Sequence, residues 1–102
     1  MTNKRSEYSR IDVEVGHSPS AFVYEAFIPN VVINGEKHRR PWGTHSFDLP
    51  SGRYEVSVSY PWLFMSQCGK NTVHVELKAG EIKKVTYRAG LIRYLPGKIT
   101  VE

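Results

Sequence analysis

At 102 residues the chain is long enough for one hydrophobic core, and its 40% hydrophobic, 24% charged and 12% aromatic shares exclude a disordered or fibrous polymer. The formal charge of +4 comes from 14 Lys and Arg spread along the sequence, so it reads as a solubility feature rather than a nucleic-acid footprint. One cysteine, Cys68, allows no internal disulfide, and no apolar run reaches the roughly 20 residues of a membrane helix or resembles a signal peptide, so a cytoplasmic, soluble protein is expected, with a monomer as the default and the oligomeric state left open.

Residues 1–9 are polar and read as a flexible tail, leaving 10–102 as a single domain. Ile11, Val13 and Val15 alternate with Asp12 and Glu14, the period-two mark of a half-buried strand that Gly16 and Ser18-Pro19 end. From Ala21 to Ile28 both parities are apolar, which predicts a central strand stopped by Pro29. Val31-Val32-Ile33 runs into Asn34-Gly35, the pair best suited to a type I′ hairpin turn because both residues tolerate positive φ. The dense basic run Lys37-His38-Arg39-Arg40 follows as a solvated arm.

Beyond Pro41-Trp42-Gly43, Phe47 and Leu49 share one face of a short strand over 44–49, and Pro50-Ser51-Gly52 turns the chain. Arg53 to Tyr60 is the cleanest strand, with Tyr54, Val56, Val58 and Tyr60 inward. Tyr60-Pro61-Trp62-Leu63-Phe64-Met65 then breaks the rule that connections are polar. Cys68 falls in Gln67-Cys68-Gly69-Lys70, which reads as a loop. Strands at 72–78 and 82–88 are predicted to pair as a hairpin about Ala79-Gly80-Glu81. A second apolar connection, 91–97, leads to an edge strand at 98–102.

Seven or eight short strands joined by Gly and Pro turns predict an all-β domain, an antiparallel immunoglobulin-like β-sandwich, although a barrel would use the same residues. Its core is expected to hold Ile11, Val13, Tyr54, Val56, Val58, Val73, Val75, Leu77 and Val85. Across residues 32–81 the order Val32-Ile33-Asn34-Gly35-Glu36, then Phe47-Asp48-Leu49-Pro50-Ser51-Gly52-Arg53-Tyr54, then Val73 to Glu81 resembles the PEGA-type and carboxypeptidase-regulatory-like modules of bacterial and archaeal proteins. That resemblance implies an accessory interaction domain with no catalytic residues. Pro41-Trp42-Gly43 and Tyr60-Pro61-Trp62 depart from its usual threonine-proline and glycine-tyrosine pairs.

No residues carry an enzyme's signature. His17, His38, His45, His74 and Cys68 are spaced too widely for paired metal ligands, no serine elbow or phosphate-cradling glycine loop is present, and no cofactor is expected. The expected activity is binding of a protein partner, with Trp62, Leu63, Phe64, Met65, Trp42 and Tyr94 as aromatic and apolar contacts fringed by Arg39 and Arg40. The same composition suits an anionic membrane surface, and exposed tryptophans would suit a carbohydrate. Nucleic acid is not the expected partner, since no recognition motif accompanies the basic run.

Overall fold

The computed structural model describes residues 8–17, 27–62, 65–90 and 96–102, with the backbone alone at 8, 62, 65 and 66. The alternating segments form eight strands: β1 (Tyr8–His17), β2 (Asn30–Ile33), β3 (Glu36–Arg39), β4 (Gly43–Pro50), β5 (Gly52–Trp62), β6 (Met65–Leu77), β7 (Ile82–Ala89) and β8 (Lys98–Val101). They make two four-stranded sheets, β4-β1-β7-β8 and β3-β2-β5-β6, which face each other as a sandwich. The expected strand at 21–28 lies largely outside the described residues.

Seven of the nine expected core side chains, from Ile11 to Val85, are at most 2% exposed, and Tyr54 and Val73 are half-buried against them. Val15, Val31, Ile33, Phe47, Tyr60, Cys68, Tyr87 and Ala89 complete one cluster drawn from both sheets. Each buried aliphatic side chain contributes about 1.5–3 kcal/mol, and with no disulfide available this interior holds the sheets together.

The Asn34-Gly35 turn forms as expected, with φ of 48° and 85°. Its asparagine also reaches sideways to β5: Oδ1 accepts from the Glu55 amide at 2.7 Å and Nδ2 donates to the Arg53 carbonyl at 3.2 Å.

Two expectations are corrected. The strands on either side of Ala79-Gly80-Glu81 do not pair, because β6 and β7 belong to different sheets. Within that turn the Lys78 amide donates to the Glu81 carboxylate and the Glu81 amide to the Lys78 carbonyl, both at 3.0 Å. β1 adds two bonds to the turn: Ser9 Oγ donates to the same Lys78 carbonyl at 2.6 Å and the Arg10 amide to the Glu81 carbonyl at 3.0 Å. The chain is therefore handed to β1, and β7 runs parallel to it from Arg10↔Ile82 to His17↔Ala89, which makes that sheet mixed rather than antiparallel.

The second correction concerns Pro61 to Lys70, read as connection and loop. β5 continues to Trp62, β6 begins at Met65, and these two residues are paired. Cys68 is 1% exposed inside β6 opposite Tyr60. Two register shifts accommodate it, the first leaving Gly69 at a φ of 60°, as in a glycine bulge.

Candidate functional site

The strand order fixes which loops can act together. At one end of the sandwich lie the C-terminal ends of β1, β3, β5 and β7 and the N-terminal ends of β2, β4, β6 and β8. The connection from β3 to β4 crosses there from one sheet to the other, and Trp42 sits in it.

Trp42 is half-buried and packs on the core. Its Nε1 donates to the Phe27 carbonyl at 3.0 Å, its ring meets His17 edge-on at 4.8 Å, and it lies 5.8 Å from the Tyr60 ring. The indole is thus a plug between the sheets, with its one donor already used. Arg39 beside it is exposed. Arg40 folds back so that its guanidinium stands 5.6 Å over the Phe47 ring, while its Nη1 donates to the Arg39 carbonyl.

Among the other residues expected at a contact, Leu63, Phe64 and Tyr94 lie outside the described residues, as do the side chains of Trp62 and Met65. The paired backbones of Trp62 and Met65 close the β5–β6 hairpin at this same end.

Sequence reasoning missed the charge that the fold collects here. Lys70, Arg88 and Lys98, all exposed, join Arg39 and Arg40 at this end. Over positions 16–17, 27–30, 39–43, 58–62, 65–71, 87–90 and 96–99 there are five cations and no Asp or Glu. At the opposite end basic and acidic groups alternate, as in Arg53 with Glu76 at 3.9 Å and Lys83 with Glu81 at 3.5 Å. Cations occur at both ends, and what sets this end apart is the lack of Asp and Glu among its described residues. Ile28, 41% exposed, adds an apolar contact beside them. The linear spacing carries no signal of this, since pairing across strands brings Arg88 to Lys98 and His17 to Ala89.

The histidines are engaged individually. His45 Nε2 lies 2.7 Å from the Pro41 carbonyl, His38 is 3.1 Å from Glu36, and the exposed His74 is 3.4 Å from Glu55. Among the described residues no three His, Cys, Asp or Glu side chains gather as a metal site, and no helix is long and apolar enough to cross a membrane. Comparison with protein-family models, curated proteins and solved structures returns no match, so function must be argued from these residues.

Proposed function

We propose that this chain is a non-enzymatic, immunoglobulin-like binding module whose Trp42-bearing end receives an acidic protein surface. The observation that carries the reading is the company of Arg39, Arg40, Lys70, Arg88 and Lys98 with no carboxylate among the described residues of that end. One-signed charge around a fixed aromatic plug speeds encounter with an oppositely charged partner and fixes its orientation. The exposed Ile28 supplies the apolar element that such contacts need.

The test compares two double variants that change net charge equally. Arg39→Glu with Arg88→Glu reverses the basic end, and Arg53→Glu with Lys78→Glu reverses the other. Proteins retained by the wild type and by the second variant, and lost with the first, support the reading; equal retention by both variants contradicts it. An anionic membrane surface is the second reading, favoured by Ile28 beside the cations. It predicts co-sedimentation with phosphatidylserine vesicles that is lost on Arg39→Glu with Arg88→Glu, and on Trp62→Ser with Phe64→Ser.

A further inference from the structure

A second site lies along one side of the sandwich, where β3 and β4 form the edges of their respective sheets and no further strand is added among the described residues. The sheets part there around a cleft of about 430 Å³. Its apolar floor is Ile33, Phe47, Leu49 and Tyr54, and its rim carries Glu36, His38 and Asp48.

The two edges face the cleft differently. β4 contributes four consecutive residues, Ser46 to Leu49, which means that its backbone edge borders the opening. β3 contributes Glu36 and His38, the residues that share a face with core-directed Ile33 and Val31 through their register. One wall thus offers main-chain donors and acceptors, and the other offers side chains. That combination receives an extended peptide, whose backbone joins the ladder while alternate side chains enter the pocket.

The charge of the cleft selects the occupant. On a chain with 14 Lys and Arg against 10 Asp and Glu, the lining has two carboxylates and no Lys or Arg. Glu36, with a side chain 76% exposed, and the exposed Asp48 stand at the end nearest the Asn34 turn. Towards the other end the Arg40 guanidinium covers the Phe47 ring, which disfavours a second cation there. We propose that this cleft binds an extended segment of a protein partner by strand addition to β4, placing an apolar side chain against Phe47 and Leu49 and, two residues away on the same inward face, a Lys or Arg towards Glu36. This site adjoins the basic end through Arg40, but its test reads different residues, so it stands or falls independently.

The probes are acetylated, amidated heptapeptides Thr-Lys-Thr-Xxx-Thr-Val-Thr with Leu, Ile, Val or Phe at the centre, titrated into ¹⁵N-labelled protein. Amide shifts are expected at 36–38 and 46–49 with at least one peptide at about 1 mM. Glu36→Lys weakens that binding about tenfold, and exchanging the peptide's Lys for Glu restores it. Proline in place of the third Thr abolishes binding by removing a ladder donor. If the charge reversal disturbs the far-ultraviolet spectrum, Glu36→Gln tests the weakening alone. Absence of shifts with all four peptides, shifts confined to β6 or β8, or equal binding of the proline peptide overturns the proposal.

Discussion

The Tyr87 hydroxyl donates to the carbonyl of Gly69 at 2.7 Å inside the protein, joining β7 of one sheet to the bulge on β6 of the other. The same carbonyl accepts from the Gly97 amide at 2.8 Å, and the Gly97 carbonyl in turn accepts from Asn71 Nδ2 at 2.8 Å. Three elements at the basic end are therefore locked through one peptide group. A Cβ at Gly97 would come within 2.5 Å of the Tyr87 ring, and one at Gly69 within 2.7 Å of both Tyr60 and Tyr87.

This node predicts a graded pair of effects. Tyr87→Phe removes one of two donors to Gly69 and should cost about 1 kcal/mol in urea unfolding. Gly97→Ala must displace a ring in a close-packed interior and should cost about 2–3 kcal/mol. Equal, negligible losses in both variants would mean that the node does not join the sheets.

Asn34 separates turn chemistry from cross-strand bonding. Asn34→Gly keeps a residue that tolerates positive φ but loses both side-chain bonds to β5, and Asn34→Ala also strains the turn. Losses of about 1 kcal/mol for Gly and about 2 kcal/mol for Ala are expected from chemical denaturation. An unchanged Asn34→Gly variant would show that the lateral bonds contribute nothing.

The turn that passes the chain between sheets has a pH signature. The Lys78 amide bonded to the Glu81 carboxylate, helped by the charge of Lys83, holds that carboxyl below its ordinary value of 4.5. A lowered folded-state pKa means that the contribution is present above the ordinary value and is lost as pH falls through the folded one. The stability difference between wild type and Glu81→Gln should accordingly be larger at about pH 6 than at about pH 3. A difference that does not change with pH would contradict the bond.

Cys68 tests the corrected path of β6. A thiol 1% exposed within a strand should react with a water-soluble disulfide reagent only when the strand opens, at least about 100-fold more slowly than in denaturant. Reaction at the denatured rate would restore the loop reading.

Particular residues explain what could be read in advance. Val56, Val58 and Tyr60 keep strict alternation, and Asn34-Gly35 has backbone chemistry that only a tight turn uses, so both were legible. Gly69 was not, because glycine marks a bulge inside a strand with the same letter that marks a loop. The turn from Lys78 to Glu81 suits a hairpin and a sheet crossing equally; the choice is made by Ser9 and Arg10, far away in sequence. Arg39 and Arg40 were recognisable as a basic fringe, whereas Lys70, Arg88 and Lys98 become their neighbours only through strand order.

Amide-shift mapping with poly-L-glutamate as a defined acidic probe measures most directly whether the Trp42 end is the receptive surface. Shifts should gather at Arg39, Arg40, Lys70, Arg88 and Lys98 and fade as salt is added. Shifts of equal size at Arg53, Lys78, Lys83 and Lys84 would contradict a localised acidic-partner site.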